Sequence, residues 1–249
     1  MGTAEGFFDD WADLYDADYR EQEIGDTDFY VDLATEANGP VLEVGCGTGR
    51  IYLELLRAGV DADGIDISTA MLEVLREKAR ADDLEPSVWR ADMRSIEADR
   101  TYALIMIPFR AFLHNITVRD QLQALRQLRT VLEPGGRLAM NMFVPSFDVI
   151  CDSYGRKQRR TIEQDGESLE IIDHTRIVDE VEQVVEGHRQ VLKDGDVIRD
   201  SRFRLALISK PHFEALVEAT GWSDVTGYGG FAGEPLEHGA TEMVWVLTR

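Results

Sequence analysis

Between residue 28 and about residue 143, short apolar runs alternate with stretches whose apolar positions recur every three or four residues. That is the pattern of strands alternating with amphipathic helices. The strands are expected at Val41 to Val44, Val60 to Ile65, Ser87 to Arg90, Tyr102 to Ile107 and Arg137 to Phe143. Tyr102 to Ile107 is almost unbrokenly apolar, as for a central parallel strand buried on both faces, whereas Val60 to Ile65 alternates as if half exposed. A helix over Asp28 to Ala37 is stopped by Asn38-Gly39-Pro40, and the pairs Ile51/Leu55 and Tyr52/Leu56 mark another that ends at Gly59. Ser68 caps a helix to about Ala81 that buries Met71, Leu72, Leu75 and Ala79. Thr117-x-x-Asp120 starts one running through Leu122, Leu125, Leu128 and Leu132, and Pro134-Gly135-Gly136 turns the chain into the next strand.

After Pro145 the period changes. Ser168 to Val178, Val181 to Leu192 and Val197 to Ile208 alternate at period two, with turn signals at Asp179-Glu180 and Asp194-Gly195-Asp196. An antiparallel sheet inserted after the fifth strand is expected there. The basic run Arg156-Lys157-Gln158-Arg159-Arg160 before it reads as a solvated loop or, alternatively, a site for an anionic acceptor. Pro211 to Thr220 then reads as a helix, with Trp222 to Tyr228 and Thr241 to Thr248 as two last strands. At the other end, aromatics at positions 7, 8, 11, 15 and 19 share one helical face.

The stretch Val41 to Arg50 carries the chemistry. A strand runs into Gly45-Cys46-Gly47-Thr48-Gly49 and then into a helix, and glycines there let a ligand approach where a Cβ would collide. A dinucleotide fingerprint also places glycines at such a turn, with an acid some twenty residues on for the ribose, and Asp66 supplies that acid. The spacing differs, however, being G-x-G-x-G, and Glu43 would repel a pyrophosphate while attracting a sulfonium or ammonium. A cationic nucleoside therefore fits better than a dinucleotide.

Four motifs in order, Val41 to Arg50, Gly64 to Ser68, Ala91-Asp92-Met93 and Leu132 to Gly136, resemble those of class I S-adenosylmethionine-dependent methyltransferases. The resemblance implies an α/β fold with a Rossmann-like, seven-stranded, mostly parallel sheet, helices on both faces and an inserted antiparallel sheet. It divides the chain into an N-terminal helical lid (1–37), a cofactor-binding core (38–145), an insertion roofing the substrate pocket (146–209) and a segment completing the core (210–249). S-adenosyl-L-methionine would be held by Glu43, Gly45, Cys46, Gly47, Thr48, Gly49, Asp66, Ile67, Met71, Asp92, Met93 and Ile107, leaving S-adenosyl-L-homocysteine as product. Asp66 would take both ribose hydroxyls, and Asp92 with the Met93 amide would read the adenine edge. A tyrosine in a Tyr-Asp pair faces the transfer centre in such enzymes, which makes Tyr15 a site candidate with Tyr19 second.

The segment Pro108 to Asn115 should border the transferring methyl, since ligands of open parallel sheets bind outside the carboxyl ends of the strands. Enzymes that methylate adenine or glutamine amines carry Asn or Asp, two prolines and an aromatic at this point. Ile107-Pro108-Phe109-Arg110 departs from that pattern, so a base amine or a glutamine side chain is not the expected acceptor. His114 is the candidate base, should the nucleophile carry a proton that must leave.

Composition narrows the picture further. The 249 residues carry a net charge of −21, and lysine occurs only at Lys78, Lys157, Lys193 and Lys210. Such charge argues against nucleic-acid or anionic-membrane surfaces. It suits either a high-salt cytoplasm or an acidic protein of an arginine-rich proteome, which a salt titration of the melting midpoint separates. No signal peptide or spanning run is visible, so a cytoplasmic location is expected. Cys46 and Cys151 form no pair motif, the five histidines show no metal spacing, and neither a hydrolase elbow nor a phosphate loop occurs. The leading expectation is transfer of a methyl group to nitrogen or oxygen of a small molecule by a monomer or homodimer. A non-catalytic S-adenosyl-nucleoside-binding protein and an NAD-dependent oxidoreductase are the alternatives.

Overall fold

The computed structural model describes residues 3–19 and 25–249, so parts of the expected lid, at 1–2 and 20–24, lie outside the described residues. In the core, strands β1 (Val41–Val44), β2 (Ala62–Asp66), β3 (Ser87–Arg90), β4 (Tyr102–Ile107) and β5 (Leu132–Phe143) alternate with helices α3 (Tyr52–Arg57), α4 (Thr69–Ala81) and α5 (Val118–Val131). Helices α1 (Ala4–Tyr19) and α2 (Thr27–Thr35) precede them. After β5 come α6 (Phe147–Ser153), strands β6 (Lys157–Gln164), β7 (Glu167–Asp179), β8 (Val184–Lys193) and β9 (Asp196–Ala206), helix α7 (Lys210–Thr220), and strands β10 (Asp224–Tyr228) and β11 (Glu242–Thr248).

The main sheet has seven strands in the order β10-β11-β5-β4-β1-β2-β3, and β11 runs antiparallel to both its neighbours. From β1 the chain steps outward to β2 and β3, then returns to β4 on the other side. The carboxyl ends of β1 and β4 therefore flank the switch in strand order, where such sheets bind ligands. One face of the sheet packs on α5 and α7 through residues such as Leu125, Leu128, Phe213 and Leu216. The other packs on α2, α3 and α4 through Tyr30, Tyr52, Leu55 and Leu75. A third cluster joins Phe7, Trp11 and Leu14 of α1 to Met71 and to Ile162, Leu169, Ile171 and Val191 of the second sheet, ordered β6-β7-β8-β9.

Local chemistry sets the helix ends. The Ser68 hydroxyl accepts from the Met71 amide at 3.1 Å, and Thr117 accepts from the Asp120 amide at the same distance. Gly221 closes α7 at φ 75°, an angle that favours glycine.

Four elements differ from expectation, and one is α6, which the sequence pattern did not mark. β2 is buried along its whole length instead of half exposed, because it lies between β1 and β3 under α3 and α4. There Gly64 lets neighbours close in, since a Cβ would stand 3.0 Å from Cys46 Sγ and 3.1 Å from the Tyr52 ring. β5 begins at Leu132, already paired with Tyr102, and absorbs the Pro-Gly-Gly segment as a register shift. The basic run at 156–160 is no loop, for Lys157 onward forms the first strand of the inserted sheet. Its arginines are charge-matched across the sheet, Arg159 to Glu170 at 2.7 Å and Arg160 to Asp173.

Candidate active site

At the carboxyl end of β1 the glycine turn folds back on β2. Gly45 has φ 75°, and a Cβ on it would lie 3.0 Å from the Ala111 Cβ, so its lack of a side chain lets the loop after β4 come close. Gly47 has φ 54°, lines a cavity of about 260 Å³, and an added Cβ would meet only the Gly45 carbonyl oxygen, at 4.0 Å. The Gly47 and Ser68 amides donate to the two oxygens of Asp66, at 2.9 and 2.8 Å. Burial pushes the Asp66 carboxyl above its usual pKa, and these amides oppose the shift. Each oxygen retains a second lone pair, and Asp66 lines the cavity beside Ile67, Met71 and Met93.

Beneath the turn, Glu43 is buried in β1, and its Oε2 has no hydrogen-bond partner. Burial raises its pKa well above the carboxylate range, against the pull of Arg50. Arg50 is itself held by Asp26 through contacts of 2.6 and 2.8 Å. A glycine cradle open to a cavity and an acid at the end of β2 together fit a nucleoside.

The rest of the cavity is walled by aromatic rings. Tyr15 and Tyr19 pack at 4.7 Å, Tyr19 meets Phe109 edge-on at 5.1 Å, and His114 sits between Phe8 at 5.3 Å and Phe203 at 6.1 Å. Phe109 and Arg110 take φ of 51° and 68°, a left-handed pair that costs non-glycine residues roughly 1–2 kcal/mol each. The loop is pinned by an ion pair from Arg110 to Glu242, which also accepts from Asn141 at 3.1 Å. Burial keeps the Tyr15 phenol far above its usual pKa, so it remains protonated.

His114 bonds to the Arg204 backbone while its Nδ1 is buried without a partner, and burial pulls its pKa down to about 4. The folded ring is therefore neutral where the unfolded one begins to protonate near pH 6.5. Stability contributed by keeping it neutral is lost as pH falls from 6.5 towards 4. Relative to His114→Gln, the natural chain should lose up to about 3 kcal/mol over that window, read from urea unfolding at each pH. Parallel curves for the two proteins would disprove the neutral buried ring.

Helix α1 closes this cavity, and all six of its carboxylates meet donors on the body of the protein. Glu5 binds Arg90 at 2.5 Å, Asp9 accepts from the Ser68 hydroxyl at 2.6 Å, and Asp10 from Ser201 at 2.9 Å. Asp13 binds Arg199 at 2.6 Å, and Asp16 meets Thr48 at 2.6 Å and Lys78 at 2.8 Å. Asp18, fully buried, binds Arg160 at 2.6 Å and Arg189 at 2.8 Å. Arg189 lines the cavity, holds Asp173 at 2.7 and 2.9 Å, and lies 4.6 Å from the Trp11 ring.

Of the residues expected from sequence, Tyr15, Gly45, Gly47, Asp66, Ile67, Met71, Met93 and His114 line this one cavity, as does Tyr19. Others stand elsewhere. Ile107 is wholly inside the core, Glu43 is buried in β1 and does not line the cavity, and Gly49 packs under Leu53 and Leu75. Cys46 is buried behind the turn with its thiol pKa pushed up by burial, and Thr48 faces α1. Asp92 grips Arg94 at 2.5–3.1 Å and lines an adjoining groove of about 880 Å³, which shares Ile67, Ala91, Met93 and His114 with the cavity. Sequence reasoning missed Arg189, Phe203 and Leu205, all supplied by the inserted sheet. One signal was available: Gly187, a glycine inside a strand, pairs with Phe203, whose ring occupies the space of the missing Cβ.

Residues 41–136 match the methyltransferase domain family. An uncharacterized methyltransferase of Bacillus thuringiensis is 29% identical over 189 residues, covering 71% of this chain and 85% of the relative. Among solved structures, the CcbJ methyltransferase of Streptomyces caelestis superposes with a TM-score of 0.74 at 24% identity, over 93% of this chain and 95% of that one. The sugar N-methyltransferase KedS8 of a Streptoalloteichus species gives 0.72 at 20% identity, over 94% and 92%. Among the described residues no helix is long and apolar enough to cross a membrane. Residues 41–136 thus match a methyltransferase domain, and the chain that carries them has the class I S-adenosylmethionine-dependent methyltransferase fold.

Proposed function

We propose that this protein uses S-adenosylmethionine to methylate an amine nitrogen of a small acceptor, in the aromatic end of the cavity beneath α1. One observation carries the reading. The space next to the glycine turn and Asp66 is walled by Phe8, Tyr15, Tyr19, Phe109 and Phe203, and such faces stabilise the positive charge that builds on a neutral amine nitrogen as it takes the methyl. KedS8, a sugar N-methyltransferase of the same fold, points the same way. A cavity of about 260 Å³ roofed by the inserted sheet suits a small molecule rather than a polymer.

Bound S-adenosylmethionine supplies an electrophilic methyl group on a sulfonium. This chain's residues hold and orient. Asp66 would take the ribose hydroxyls through its remaining lone pairs. Ile67, Met71 and Met93 would cover the nucleoside. His114, neutral at physiological pH, would accept a hydrogen bond from the acceptor N–H at Nδ1, turning the nitrogen lone pair to the methyl. A ring whose pKa is about 4 retains a proton poorly, so the proton lost from nitrogen passes on to solvent. Positioning then supplies most of the rate. Helix α1, the first part of the expected lid, would close the site and exclude water.

The test is a panel of matched acceptors, amino sugars beside the corresponding hydroxy sugars, incubated with S-adenosylmethionine and read by mass spectrometry. One added methyl on the amine member alone is the expected result. Methylation of the hydroxyl member alone would sink the nitrogen assignment. Tight cofactor binding with no turnover on any acceptor would favour the non-catalytic reading.

A further inference from the structure

The inserted sheet has two unlike faces. One, with Arg160, Asp173 and Arg189, turns to α1. On the other, one rung across all four strands reads Lys157, His174, His188, Arg202, and the next reads Arg176, Glu186, Arg204, since residues directly paired across antiparallel strands share a face. Glu186 is ringed by Arg176 at 2.9 Å, Arg204 at 3.2 Å and Arg202 at 3.7 Å. Asp200 meets His188 at 2.8 Å, whereas no ion pair engages Lys157 or His174 among the described residues. On a chain of net charge −21 these two rungs carry Lys157, Arg176, Arg202 and Arg204 against Glu186 and the neighbouring Asp200, a local excess of positive charge.

Immediately beside it lies the opposite. A groove of about 650 Å³ between α1, α4 and β9 is lined by Asp9, Asp10, Asp13, Glu73 and Glu77, with Arg199 the one base in its wall. Ile198 and Asp200 line that groove too, so the two surfaces meet along β9. β9 is the last strand of its sheet, and Val197 and Ile198 on it are 51% and 50% exposed.

We propose that this corner is the interface of a two-fold dimer, in which the basic sheet face of one protomer meets the acidic groove of its partner, and reciprocally. Two patches of opposite sign lying side by side are self-complementary under a two-fold axis. A polyanion drawn to the sheet face would be repelled by the adjoining groove, and a polycation the reverse. A second copy of this chain carries both signs in the required arrangement. Val197 and Ile198 supply an apolar centre between the charged halves.

Sedimentation velocity of the full chain at micromolar concentration in 0.1 M KCl should give about twice the 28.1 kDa chain mass. Lys157→Glu with Arg202→Glu should raise the dimer dissociation constant at least tenfold, and so should Glu73→Arg with Glu77→Arg. All four sites are exposed, and unchanged melting midpoints would show intact folds. Combining both pairs of substitutions should restore the dimer, because the swapped charges again face opposites. A monomer at every concentration, a dimer indifferent to either pair, or a quadruple variant that stays dissociated would overturn the proposal. So would a monomer that binds duplex DNA or heparin through Lys157 and Arg202. None of these outcomes depends on methyl transfer.

Discussion

Replacing Arg189 with leucine should destabilise the protein by about 3 kcal/mol and detach α1 from the inserted sheet. Arg189 is the cation between Asp18 of α1 and Asp173 of β7, and Asp18 is fully buried. Removing one partner of a buried pair leaves charge uncompensated, which costs about 3–5 kcal/mol. The lower figure applies here because Arg160 still reaches both carboxylates. For a chain of this size that corresponds to a fall of roughly 6–12 °C in melting midpoint. The dependence on pH should change as well. Burial alone would raise the Asp173 pKa, but the hydrogen bonds and charges of Arg189 and Arg160 outweigh it and hold the group below its usual value. That contribution is present above the unfolded carboxylate pKa and is lost as pH falls through the folded one. Arg189→Leu should flatten this acid limb. Thermal melts between pH 3 and 7 check both points, and a variant as stable as the natural chain would show that the cluster does not hold the helix. Earlier proteolysis within α1 should accompany the loss, because segments that open locally are cut first.

Removing the Asp66 carboxylate should weaken binding of S-adenosylhomocysteine about 5- to 150-fold, or about 1–3 kcal/mol, the scale of hydrogen bonds to a charged group. Asp66 has a second task, since its oxygens accept from the Gly47 and Ser68 amides and tie the glycine turn to the end of β2. Asn is therefore no neutral replacement, because its amide NH₂ would face one of those two N–H donors. A ligand lacking the ribose 2′-hydroxyl separates the roles. Wild-type protein should bind it more weakly than S-adenosylhomocysteine, while Asp66→Ala should bind the two alike. Calorimetric titration of the four combinations makes the comparison. If the variant still distinguishes the ligands, Asp66 supports the turn and some other group reads the sugar.

The amino-acid sequence alone placed what depends on short-range geometry. The glycine turn after β1, Ser68 as the cap of α4, the apolar run of β4 and Gly221 closing α7 each rest on residues within a few positions of one another. Hydrogen bonding along the backbone and the steric limits on φ act at that range, so local pattern suffices. Asp66 was equally legible, as an acid at the end of the second strand.

Contacts between segments distant in the chain were a different matter. Arg156 to Arg160 reads as a solvated run until β7 is laid beside it, when Arg159 and Arg160 find carboxylates across the sheet. The alternation of Val60 to Ile65 suggested an exposed face, yet Asp63 is buried against the Tyr102 hydroxyl at 2.8 Å and Arg100. Asp92 was expected at the adenine edge; at closer range, Arg94 two residues on folds back to grip it.

The sequence by itself determined the strand and helix order of the core, the nucleoside-type turn and the acid facing it, because these are properties of neighbouring residues. Only the tertiary structure decided the wall of the acceptor site. Arg189 and Phe203 lie well over a hundred residues from Tyr15, and nothing in their local pattern distinguishes them from other residues of an alternating strand. It likewise decided that every acid of α1 has a partner, from Ser68 to Arg199. The physical reason is that a charge is read from the sequence, whereas its neutralisation is a property of whatever the fold brings within a few ångströms.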